Sequence, residues 1–112
     1  MSAAQVKQRI LERLQSVIDP ETGVDVMRMR LVEQLQIDEA SGRVRYTFRP
    51  SSPLCPLAVT LALDIQRAIA GVDGVTHQEI AVEGYVGAQQ LMELLNATSL
   101  ETNDVRVEGG SA

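Results

Sequence analysis

The chain has 112 residues, 45% of them apolar, enough for one domain with a single two-layer core. A formal charge of −5 argues against a general binder of nucleic acid or anionic membrane, since both depend on summed positive charge. Tyr46, Phe48 and Tyr85 are the only aromatic residues, too few for a module that stacks the bases of single strands.

The first element is a helix over about residues 3–17. Ser2 is its cap, and Val6, Ile10, Leu11, Leu14, Val17 and Ile18 recur on one face. Asp19-Pro20 stops it, because a residue before proline is pushed out of the helical region. Residues 21–30 lack a period and read as a loop. Two strands follow, over about 31–37 and 43–49. The first places Leu35 and Ile37 on one face. The second alternates strictly, with Val44, Tyr46 and Phe48 inward and Arg43, Arg45, Thr47 and Arg49 outward. Asp38 to Gly42 supply hairpin residues between them.

A second helix is expected over about 56–70, carried by Leu57, Leu61, Ile65, Ala68 and Ile69 and ended by Gly71. A third strand spans about 75–83, with Gln78, Ile80 and Val82 on one side. A last helix covers 88–96, with Leu91, Leu94 and Leu95 on one face. The order α-β-β-α-β-α predicts an α+β, two-layer α/β sandwich on a small mixed three-stranded sheet. Residues 1–97 form one domain and 98–112 are expected to be a disordered tail. Residues 1–13 lack the apolar run of a signal peptide, and no segment approaches the roughly 20 apolar residues that span a bilayer. The expected location is cytoplasmic, with no membrane and no nucleic acid as partner.

Chemistry concentrates at the one cysteine. One cysteine makes no internal disulfide and no structural zinc site. Cys55 lies in Arg49-Pro50-Ser51-Ser52-Pro53-Leu54-Cys55-Pro56, where three prolines stiffen the passage from strand to helix. Pro56 suits the first helical position, which makes Cys55 the expected N-cap. There the helix dipole and free N–H groups favour a thiolate, and Ser51 and Ser52 can add hydroxyl donors. The competing reading is a small buried hydrophobe. Asp19 and Glu21 are either hard metal ligands or groups that cap a turn. His77 stands alone on a strand and reads as a surface residue. Arg43, Arg45 and Arg49 read as a solvated strand face or as a contact for an acidic partner.

Val17-Ile18-Asp19-Pro20-Glu21-Thr22-Gly23, Leu31-Val32, Ser51-Ser52-Pro53-Leu54-Cys55-Pro56-Leu57-Ala58 and Gly71-Val72-Asp73-Gly74-Val75 occur in that order. Together, over about residues 5–83, they resemble the metal-sulfur cluster assembly family that includes SufT and PaaD-like proteins. The resemblance implies an accessory factor in iron–sulfur cluster assembly or transfer, not an enzyme. Cys55 matches the family's functional cysteine, and Asp19 the acidic position of its Asp-Pro-Glu motif. Its implied partners are the iron–sulfur assembly machinery and client apoproteins, and its cofactor a transient iron–sulfur cluster. Arg30 and Leu54 stand where the family usually has glycine, and Glu83 to Gly87 replace a proline- and tryptophan-containing segment. A two-iron cluster needs four ligands and one chain offers one thiolate, so handling is expected to be transient. Two alternatives stay open: an interaction module, such as a homodimer through Leu91, Leu94 and Leu95, and a thiol enzyme with Cys55 as nucleophile.

Overall fold

The computed structural model describes residues 2–97; the expected tail, 98–112, lies outside them. Six elements follow in the anticipated order: α1 (Ala3–Leu14), β1 (Val32–Asp38), β2 (Arg43–Phe48), α2 (Ala58–Ala70), β3 (His77–Val82) and α3 (Ala88–Ala97). The strands form one sheet in the order β1-β2-β3, with β1 antiparallel and β3 parallel to β2. The mixed sheet is forced by connectivity. A four-residue connection reverses the chain between β1 and β2, whereas α2 is long enough to return it for a parallel strand.

α1 starts as expected: Ser2 accepts from the Gln5 N–H and the Gln5 side chain answers at the Ser2 N–H, a complete capping box. It ends three residues earlier than the apolar stripe suggests. Ser16 and Val17 donate to Arg13 and Leu14, and the Ser16 hydroxyl also takes the Arg13 carbonyl, so the last turn tightens and closes. In β1 the simple alternation fails, since Val32, Leu35 and Ile37 all pack on the core. An extra residue between Glu33 and Gln36 reconciles them. Gln34 sits there at φ 57°, and its side-chain oxygen accepts from the Thr47 hydroxyl at 3.2 Å. Gly42 closes the hairpin at φ 75°, where a Cβ would run into the Gly74 carbonyl.

The core lies between the sheet and the two long helices. Val6, Ile10 and Leu14 from α1 and Leu61, Ile65 and Ile69 from α2 meet Val44, Tyr46, Phe48, Ile80 and Val82 in one cluster. A second, polar layer crosses this core. The Tyr46 hydroxyl donates to Gln78 Oε1 at 3.0 Å, Gln78 Nε2 to the Gln66 carbonyl at 3.0 Å, and Gln66 Nε2 to the Leu95 carbonyl at 2.8 Å. α3 also protects the sheet edge, because the Asn96 carboxamide accepts from Ile80 N–H and donates to Ile80 C=O, as a neighbouring strand would. Leu91 and Leu95 are buried, but Leu94, expected on the same face, is exposed.

Burial pushes the Tyr46 phenol well above its ordinary value near 10. A group with a raised folded pKa contributes stability that is whole below the unfolded pKa and is lost as pH rises beyond it. Stability is therefore expected to fall above about pH 10. In Tyr46→Phe that part of the alkaline slope should vanish, as denaturant midpoints taken across pH would register.

Candidate functional site

Two loops hang from the end of the sheet where β2 finishes and β1 begins. The first, between α1 and β1, is built around Asp19. Its carboxylate accepts from Glu21 N–H at 2.8 Å, and its carbonyl accepts from Thr22 and Gly23, the latter at φ 71°. Pro20 presets the turn, and Ile18 bridges to Asp25 across it. Main-chain bonds run from Val26 to Val17, from Leu31 to Val26 and from Arg49 to Leu31, and so tie this loop to the end of β2. Asp19 is 2% exposed, and among the described residues its carboxylate has no partner besides Glu21 N–H. Turn capping, one of its two sequence readings, is thus observed. Glu21 is exposed.

The second loop runs from Arg49 to Leu57. Arg49 anchors its start by reaching Glu33 on β1 at 3.2 Å and Glu83 beyond β3 at 2.7 Å. Such exposed pairs are worth at most about 1 kcal/mol each, but they fix where the chain leaves the sheet. Cys55 is not the N-cap of α2. That place belongs to Leu57, which makes no side-chain cap bond. Cys55 N–H donates to the Ser52 carbonyl at 3.2 Å and Ala58 N–H to the Cys55 carbonyl at 3.3 Å. These successive turns delay the helix, whose first full-length bond joins Leu61 N–H to Leu57 C=O. The expected dipole contact therefore falls two residues short. Cys55 is also buried, 5% exposed within the hydrophobic core, as the competing reading of a small buried hydrophobe expects, while its neighbour Leu54 turns out at 74%. Ser51 and Ser52 are exposed, and no side-chain hydrogen bond joins either to Cys55 among the described residues.

Sequence reasoning missed what holds this loop from the far side. Val86 N–H donates to the Pro53 carbonyl at 2.9 Å and so docks the turn after β3 against the cysteine loop. No spacing signal could reveal a bond between segments 33 residues apart. On the exposed arginine face Arg43 and Arg45 meet Glu79, and Arg49 meets Glu33 and Glu83. His77 stands in register with Arg43, at the start of β2. Five residues of strand, roughly 17 Å, separate that level from the strand end that leads to Cys55. Among the described residues no three His, Cys, Asp or Glu side chains gather closely enough to hold a metal ion. A resident cluster does not fit the chain by itself.

The sequence pattern described as "Iron-sulfur cluster assembly protein" matches residues 7–82. The chain belongs to that family. An uncharacterised protein of Methanocaldococcus jannaschii is 29% identical over 80% of the chain and 93% of its own length. The Fe-S protein maturation auxiliary factor YitW of Bacillus subtilis is 32% identical over 69% of the chain and 74% of its own. The crystal structure of a domain of unknown function, DUF59, from Bacillus anthracis superposes with a TM-score of 0.64 at 30% identity, covering 73% of this chain and 77% of that one. The family match takes in both loops and ends at Val82, so α3 lies beyond it. No helix among the described residues is long and apolar enough to cross a membrane.

One departure from the family's usual residues has a visible strain. Arg30 adopts φ 59°, the left-handed region in which glycine is at ease. That conformation costs a residue with a side chain about 1–2 kcal/mol, of which glycine's looser unfolded state cancels part. Arg30→Gly is expected to raise stability by about 0.5–1 kcal/mol, seen as a higher urea midpoint at unchanged slope.

Proposed function

We propose that this protein is a non-catalytic accessory factor in the maturation of iron–sulfur proteins, with Cys55 as a transient ligand for iron or sulfur and a contact point for clients. The reading rests chiefly on the placement of Cys55. The only thiol of the chain lies on a proline-stiffened loop, at the sheet end that also carries the Asp-Pro-Glu turn. The family and the role named for YitW supply the chemical context.

Burial of the sulfur suits brief handling better than storage. Its loop is fastened by few main-chain bonds, two of them longer than 3.1 Å, and no side chain bonds the sulfur among the described residues. A modest outward movement of 53–57 would present the thiol, and the remaining ligands for the cargo would come from a partner or a small thiol. Asp19 is the nearest thing to a second ligand in kind, a buried carboxylate with one oxygen unclaimed by the described residues. A thiol enzyme is the weaker reading, because the register puts His77 at the opposite end of β2 and no other histidine exists to serve as base.

The test is anaerobic reconstitution with iron(II) and sulfide, read by visible absorbance, on the native protein and Cys55→Ala. The native chain should develop charge-transfer absorbance that is lost on desalting, and Cys55→Ala should develop none. In cells lacking the chain, Cys55→Ala should also fail to restore iron–sulfur enzyme activity. Equal absorbance and equal restoration by both proteins would refute the role given to the sulfur.

A further inference from the structure

We infer that the aliphatic surface formed by Leu54, Val59, Val86 and Leu94 receives a short, uncharged aliphatic segment of the apoprotein being matured, an inference that rests on the role proposed above. These four side chains are 74%, 41%, 70% and 44% exposed, and with Ile18 they are the large exposed hydrophobic residues of the described chain. They come from the cysteine loop, α2, the turn after β3 and α3, four segments that the fold brings together. The Val86–Pro53 bond sets Val86 beside the cysteine loop, and a groove of about 390 Å³ joins Val86 to Val59 on α2 and to Gln90, Leu91 and Leu94 on α3. Leu54 immediately precedes Cys55, so the surface borders the loop that carries the sulfur.

Charge and area together define the occupant. The chain carries a net charge of −5, yet no charged side chain lines the groove, and Arg43, Arg45 and Arg49 on the sheet are already matched by glutamates. Recognition here is apolar, not electrostatic. The four side chains expose on the order of 400 Å², about half of what each partner buries in a stable complex. Two copies meeting on this surface would not form a lasting dimer, whereas a few aliphatic side chains spaced along one helix or loop would fill it. A protein awaiting its cluster uncovers apolar groups that pack around the cluster once it is bound. Docking through such groups favours the empty form and weakens when the site fills.

The test uses cells lacking the chain and an iron–sulfur enzyme whose activity falls on that loss. They are complemented with the native chain, Val86→Glu with Leu94→Glu, Val86→Ile with Leu94→Met, or Cys55→Ala. Both exposed sites should accept glutamate without loss of fold, checked by thermal unfolding. The glutamate pair should lower restored activity about tenfold or more, the scale of a lost hot spot, while iron uptake by the purified protein is unchanged. The aliphatic pair should restore it fully. A benzophenone side chain placed at Val86 should crosslink to the apo form of that enzyme and not to its cluster-loaded form. Full activity of the glutamate pair, or a crosslink joining two copies of this chain, would overturn the docking surface. Full activity of Cys55→Ala alone would overturn the sulfur's role and leave the surface standing.

Discussion

Gln66→Glu is expected to destabilise the protein by about 3–5 kcal/mol at neutral pH, a large share of the stability of a domain this size. Gln66 is buried in the middle of α2, and its amide donates to the Leu95 carbonyl at the end of α3. A carboxylate there loses the donor and faces a carbonyl dipole of the same sign. The effect carries a pH signature. Burial raises the pKa of the new glutamate in the folded state, so folded protein binds the proton more tightly than unfolded. The penalty is then small below the unfolded value of about 4.3 and grows as pH rises through the folded one. Chemical denaturation at pH 4.5 and 7.5 should show the variant recovering at the lower pH, relative to the native chain. Gln66→Leu, which orphans only the carbonyl, should lose about 1–3 kcal/mol with no such pH dependence. In both variants amide exchange should quicken first in α3, whose attachment to α2 depends on this bond.

That buried polar layer marks the limit of what the sequence discloses. Element order, sheet class and most inner residues were legible because apolar periods of 3.6 and 2 report which face is covered; Val44, Tyr46 and Phe48 are buried as their alternation demands, but Thr47, expected outward, is buried too, its hydroxyl donating to Gln34. Element ends were less legible, since they depend on competition among local bonds. The Ser16 hydroxyl closes α1 early, and the Cys55 and Ala58 turns delay α2. Side-chain bonds between distant segments leave no periodic trace at all. Gln66, Gln78 and Asn96 look like ordinary surface polars in the sequence, yet they join α2, β3 and α3. At the site, residue types and order were legible and orientation was not. The prolines around Cys55 foretold a stiff passage into the helix but also an N-cap at Cys55 that the structure places at Leu57, and whether Leu54 or Cys55 faced inward depended on the core behind them.

Phe48→Ala should have an effect of similar size and should reach the cysteine as well. Phe48 is the largest side chain in the fully buried set, at the last position of the central strand, in register with Val32 on β1 and Val82 on β3. Its carbonyl accepts from Glu83 N–H, and the next residue, Arg49, donates to Leu31, so the strand ends that carry both loops are bonded around it. Truncation removes packing on both sides and leaves a cavity that a sheet with neighbours on each edge cannot close. The expected loss is about 3–5 kcal/mol, or roughly 12–25 °C in melting temperature. Cys55 belongs to the same buried cluster at 5% exposure, so its reaction with solvent species is expected to depend on opening of its loop. A thiol reagent should therefore label native Cys55 slowly, at a rate set by that opening, and label Phe48→Ala faster by at least the factor expected from loosened packing, about tenfold. Equal labelling rates in the two proteins, with the variant still folded, would mean that the loop moves independently of the core beneath it. In that event the barrier to presenting the sulfur would lie in the turns at Ser52 and Ala58, where Ser52→Pro or Ala58→Gly would be the substitutions that alter it.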